Sequence, residues 1–166
     1  MLLYQSARQW AQKVGNDVII EPRGTRGLET IAARLGASVI FQPMNRDYSG
    51  IIIQENGQSP EIFINELEHP MRQRFTLAHE LGHLVERMFV ADDPEYSFVD
   101  TRITKPGQYD LHEFFADEFA GELLMPADKF LSVYNGKGEF AASAEFGVSV
   151  PAVRRRIQRL EKNPPE

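Results

Sequence analysis

The chain has 166 residues, 18 basic and 24 acidic side chains, a net charge of −6 and a hydrophobic fraction of 42%. That is enough chain for one domain with its own core, and the acidic balance argues against a general nucleic-acid or membrane-surface binder. Cysteine is absent, which excludes disulfides, thiolate metal sites and cysteine nucleophiles, so any metal must rest on the four histidines and the carboxylates. The first ten residues lack a basic stretch followed by an apolar one, so no secretory signal is expected. No run of 18 apolar residues predicts a membrane span, and a cytoplasmic protein is the expectation.

In chain order, Leu3, Ala7, Trp10, Ala11 and Val14 fall at helical spacing and predict a helix over 3–14. A β-branched run over 17–20 follows, then a helix over 28–35 that Gly36 stops. Strands are expected at 38–41, 50–54 and 61–65, and their short links suggest an antiparallel meander. Pro70 suits the first turn of a long helix reaching 89. Residues 91–110 read as a polar loop, a length that in compact domains often carries function. A helix over 111–125 ends at Pro126, and 140–161 reads as two short helices broken at Gly147-Val148-Ser149.

The informative pentapeptide is His79-Glu80-Leu81-Gly82-His83, an HExxH motif on the predicted central helix. Four residues turn a helix by about 400°, so both imidazoles lie on one face and can reach one zinc ion. Glu80 is rotated by about 100° from His79, which leaves it free to move protons as general base and then acid. Gly82 allows another element to approach the helix closely at the site.

A third ligand is needed. The segment after His83, Leu84-Val85-Glu86-Arg87-Met88-Phe89, holds no further histidine, so a carboxylate from a second helix is the alternative. Glu113 is the candidate, with Asp117 one turn away to accept the free ring N–H of a ligating histidine. Ala116 and Ala120 keep that face narrow. Glu118 is the competing ligand, although Glu118 and Glu122 also read as a solvated i, i+4 pair. His69 reads as a surface residue. His112 points away from any metal shared with Glu113, which leaves it at most a role beside the substrate. Arg72 and Arg74 read as exposed charge, and Tyr96 and Tyr109 as unselected hydrogen-bond donors in or beside the long loop.

The block Arg74-Phe75-Thr76-Leu77-Ala78-His79-Glu80-Leu81-Gly82-His83, followed by Glu113-x-x-Ala116-Asp117-x-Phe119-Ala120-x-x-Leu123-Leu124-Met125-Pro126, resembles the ImmA/IrrE family of bacterial and phage metallopeptidases. The resemblance implies His79, His83 and Glu113 as zinc ligands and Glu80 as catalytic base. Asp117 stands where the family has Asn or Asp. It further implies a protein substrate, a transcriptional repressor of the helix-turn-helix type. The expected fold is α+β and minimal zincin-like: a small mostly antiparallel sheet packed on helices that include the HExxH helix, with a C-terminal helical cap. A metallopeptidase domain is expected over 1–130 and a helix-turn-helix-like segment, packed on the core, over 131–166. A strand over 50–54 or 61–65 would offer an edge to an extended substrate.

Five basic residues and one acid between Val150 and Lys162 make the C-terminal end locally positive. One such half-motif in an acidic chain gives too few phosphate contacts for DNA, so nucleic acid is not the expected partner. Two alternatives to the endopeptidase stand beside it. One is a non-proteolytic, metal-stabilised partner-binding or toxin–antitoxin protein. The other is a DNA-binding regulator using Arg154 to Arg159.

Overall fold

The computed structural model describes residues 1–55, 57–91, 98–101 (backbone only) and 110–165. The described residues form seven helices and one four-stranded sheet: α1 (Leu3–Gly15), α2 (Arg26–Arg34), β1 (Ser38–Gln42), β2 (Tyr48–Ile53), β3 (Glu61–Asn65), α3 (Pro70–Phe89), β4 (Phe98–Thr101), α4 (Leu111–Leu124), α5 (Ala127–Lys137), α6 (Glu139–Phe146) and α7 (Val150–Lys162). The fold is α+β. No helix among the described residues is long and apolar enough to cross a membrane.

The sheet order is β1-β3-β2-β4, with β1 parallel to β3 and the other two pairings antiparallel. The sheet is therefore mostly antiparallel as expected, but it is not a meander: β3 inserts between β1 and β2. Asn65, at the end of β3, holds this crossing. Its buried amide donates to the Met44 and Tyr48 carbonyls at 3.3 and 2.9 Å and accepts from the Met44 and Leu67 N–H groups at 3.2 and 3.1 Å. One side chain thus satisfies the backbone of the β1–β2 link as it passes the end of β3. The crossing also moves the sheet edges. Neither β2 nor β3 is available to a substrate as an edge, and the edges lie at β1 and β4.

Helix α3 forms because apolar residues recur at helical spacing from Leu77 to Val85, and it begins where expected. Pro70 occupies its first turn, and the His69 ring Nδ1 accepts from the Met71 N–H at 3.1 Å. Leu77, Ala78, Leu81, Leu84 and Val85 are wholly buried. Helix α4 starts from an Asp110 cap that accepts from the Glu113 N–H at 3.0 Å. It is apolar on most faces (Phe115, Ala116, Phe119, Ala120, Leu123 and Leu124 are buried) and consequently lies in the middle of the molecule. Gly82 is where α3 and α4 meet. A Cβ there would come within 2.9 Å of the Ala116 Cα and 3.2 Å of the Phe119 Cβ. Helix α1 packs Ala7 and Ala11 into the same core, and Trp10 stacks on Phe89 with centroids 4.6 Å apart.

Helix α5 is absent from the sequence expectation, and the expected domain boundary at 130/131 falls inside it. From α6 to α7, Ala142, Val148, Val153 and Leu160 join the same core cluster as α3 and α4. Arg74 is not exposed charge. It is buried, and its guanidinium donates to the carbonyls of Glu21, Gly24, Phe146 and Gly147, tying α3 to the segment before α2 and to the α6–α7 turn.

Candidate metal centre

Two helices crossing at Gly82 bring three potential ligands together. His79 and His83, one turn apart on α3, face Glu113 in the first turn of α4. The His79 Nε2 lies 3.0 Å from the His83 Nε2, and Glu113 oxygens lie 3.3 and 3.2 Å from the two nitrogens. Two imidazoles and a carboxylate whose ligand atoms sit within 4.8 Å of one another form a group able to hold a metal ion. Tetrahedral zinc at about 2.0–2.2 Å from each ligand spaces its donors about 3.3–3.6 Å apart, so the observed separations fit within a few tenths of an ångström.

The protonation states suit a cation. Burial pushes the His83 imidazole down to about 4, which keeps it neutral, with its lone pair available, at pH 7. Burial acts in the opposite direction on the Glu113 carboxyl, but the hydrogen bonds and charges of His79 and His83 outweigh it and hold the group well below the usual carboxylate range. Asp117, one turn along α4, places Oδ1 2.9 Å from the His79 Nδ1. A carboxylate there accepts the ring N–H and directs Nε2 towards Glu113 and His83.

Glu80 turns away from the ligand face and is completely buried, beneath β2. At Gly50 on β2, a Cβ would meet the Thr76 Cγ2 at 2.7 Å and the Glu80 Oε1 at 3.3 Å. Only a residue without a side chain lets the strand lie this close to the carboxylate. Beside the site a cavity of about 650 Å³ opens between the starts of α3 and α7, lined by Met71, Arg72, Phe75, Pro151 and Arg155 among others. Phe75 precedes His79 by one turn, so this cavity follows the ligand face of α3.

Several side chains lie elsewhere than expected. Glu118 and Glu122 are not a solvated pair, and Glu118 does not compete for the metal site. Both are buried. Glu118 pairs with Arg8 at 3.0 Å and Arg159 at 3.2 Å, while Glu122 pairs with Arg156 and Gln12. A clue was present in the sequence: an acidic pair on a helix this apolar has little solvent to face. His112 sets its Nδ1 3.0 Å from the Glu86 Oε2, linking the end of α3 to the start of α4. That hydrogen bond raises the imidazole pKa, and burial raises that of Glu86. His69 is exposed and caps α3. Arg72 is half-exposed, 3.7 Å from Glu68. Tyr96 and Tyr109 lie outside the described residues.

A histidine pair on one helix, a carboxylate on the next and a small mixed sheet alongside make this a metallopeptidase-like fold. The chain belongs to the peptidase M78 family, the IrrE N-terminal-like domain, whose profile matches residues 32–158. A solved structure of a Mycobacterium tuberculosis transcriptional regulator superposes with a TM-score of 0.66 at 16% identity, over 98% of this chain and 48% of that one. This chain thus spans about half the length of that protein, and the likeness is one of fold. No curated protein sequence matches.

Proposed function

We propose that the chain is a zinc-dependent endopeptidase that hydrolyses a peptide bond in a specific protein, a helix-turn-helix repressor being the substrate class. One juxtaposition carries the reading: His79, His83 and Glu113 converge on a point, and Glu80 is the residue next to the first of them. His79, His83 and Glu113 would hold the zinc, with Asp117 orienting His79. When bound, the zinc supplies Lewis acidity that polarises the scissile carbonyl and acidifies water. Glu80 takes the proton of the attacking water on its carboxylate and delivers it to the departing amine nitrogen.

An extended substrate segment would pair with the outer edge of β4. That strand borders β2, which lies against Glu80, whereas the β1 edge is two strands from β2. The cavity beside Phe75 offers room for a substrate side chain. The family membership supports a protein substrate.

The deciding experiment compares wild type with Glu80→Gln, each incubated with helix-turn-helix repressors as test substrates, with and without a chelator. The expected result is zinc bound equally by both proteins and cleavage only by wild type with metal present. Cleavage that persists in Glu80→Gln would overturn the assignment. A cellular effect that survives Glu80→Gln but not His83→Ala would instead indicate a metal-stabilised binding protein.

A further inference from the structure

Asp117 is held from two sides. Its Oδ1 meets the His79 Nδ1 at 2.9 Å, and its Oδ2 meets the Arg159 Nη2 at 3.3 Å and the Arg155 Nη1 at 3.8 Å. Both arginines belong to α7, the basic C-terminal helix. They differ in how firmly they are placed. The Arg155 side chain is 65% exposed and the Arg159 side chain only 18%. The Arg159 Nη1 also bonds to the Glu118 Oε1 at 3.2 Å, and its guanidinium lies 5.1 Å from the centroid of the Phe114 ring. Glu118 is in turn fully buried and held by the Arg8 Nε at 3.0 Å. The Arg159 fork therefore spans two neighbouring carboxylates of α4 while resting on an aromatic face of the same helix, a geometry that a planar guanidinium fits and an ammonium does not.

We propose that Arg159 is a positioning residue of the metal centre, acting through Asp117 to set the orientation of His79. An aspartate carboxylate is free to rotate about its last side-chain bond. Fixing Oδ2 on Arg159 leaves Oδ1 aimed at the His79 Nδ1, which holds the ring with Nε2 towards His83 and Glu113. The metal centre then extends over three helices, α3, α4 and α7. Part of the local positive charge at the C-terminal end, Arg159, thus serves an internal carboxylate. This inference rests on His79 being a metal ligand.

The test is a double-mutant cycle on zinc affinity, measured on the full chain by competition with a chromogenic chelator at pH 7 and constant salt. Four proteins are compared: wild type, Arg159→Met, Asp117→Asn, and the variant with both changes. Arg159→Met is expected to weaken zinc binding about tenfold in the wild-type background, the scale seen when the outer partner of a ligating histidine is removed. In the Asp117→Asn background the same change is expected to have less than a twofold effect, because the carboxylate it acts through is gone. Arg159→Lys, which keeps the charge without the fork, is expected to fall between wild type and Arg159→Met. Should Arg159→Met not fold, the cycle is run with Arg159→Gln under the same criteria. Equal fold-losses in both backgrounds overturn the proposal, since a purely structural arginine acts regardless of Asp117. Unchanged affinity in Arg159→Met overturns it as well. Failure of the wild-type protein to bind zinc overturns the metal assignment itself, a distinct outcome.

Discussion

Gly50 has no side chain, and the position of the candidate base depends on that. Its missing Cβ leaves room for Thr76 and the Glu80 carboxylate against β2. Gly50→Ala should displace Glu80 while leaving His79, His83 and Glu113 in place. The expected outcome is a drop in kcat of about ten- to a hundredfold, in keeping with the sensitivity of catalysis to sub-ångström placement, with zinc affinity within twofold of wild type. Steady-state kinetics and a metal titration on the same samples check it. His83 allows a second residue-level prediction. Its pKa is about 4 in the folded chain, against 6.5 as the ordinary value. Between those values the unfolded chain binds more protons than the folded one, so the metal-free protein should lose stability as pH falls from 6.5 to 4. The Glu113 carboxyl, held low, acts in the same direction in acid. The raised His112 acts oppositely, with stability lost as pH rises through its folded value. Urea midpoints of the metal-free protein at pH 7, 5.5 and 4.5 should fall in that order. The slope should be shallower in His83→Asn, which lacks the titrating ring.

Among the elements, α1, α4 and α7 meet through charges rather than only through apolar contact. Arg8, Arg156 and Arg159 converge on Glu118, Glu122 and Asp117 in a region nearly closed to water. Buried acids and bases of matched number satisfy one another, but removing one partner leaves a charge without compensation. Arg156→Met should therefore destabilise the protein by about 3–5 kcal/mol. Arg154→Met, on the same helix but in an exposed pair with Glu139, should leave the unfolding midpoint nearly unchanged. Denaturant unfolding of the two variants side by side makes the comparison. These elements also show the limits of periodicity. The boundaries of α3 were visible in Pro70 and the apolar spacing. The sheet order was not, because the short β1–β2 link suggested direct pairing and the Asn65 bonds that carry it past β3 join residues about twenty positions apart.

Taken as a whole, the molecule has one core, which the C-terminal helices share, and a metal candidate where its two most buried helices cross. A metal that binds only the folded state stabilises it by mass action. Zinc at a hundredfold excess over its dissociation constant should add about 2.7 kcal/mol. For a chain of this size that is a rise in Tm of roughly 5–10 °C. Thermal unfolding with zinc, and again after a chelator is added, should show the rise and its reversal. An unchanged Tm in wild type would mean that the folded chain holds no zinc, whereas a rise in wild type that disappears in His83→Ala assigns the binding to this site. The net charge of −6 also resolves at this scale. Of the arginines on α7, Arg154, Arg156 and Arg159 are engaged with carboxylates of this chain, while the Arg155 side chain stays 65% exposed.

By itself the sequence determined what depends on neighbours along the chain. Helical spacing put His79 and His83 on one face, Glu80 off it, and Glu113 and Asp117 on one face of the next helix. The absence of cysteine, and of a further histidine soon after His83, left a carboxylate as the candidate third ligand. Only the tertiary structure decided what depends on residues far apart: that β3 lies between β1 and β2, that Glu118 and Glu122 are buried ion-pair partners, that Arg74 clamps four carbonyls, and that Arg159 reaches Asp117. The physical reason is the same in each case. A charged side chain has one local signature whether it faces water or a buried partner, and only the packing of distant segments chooses between the two.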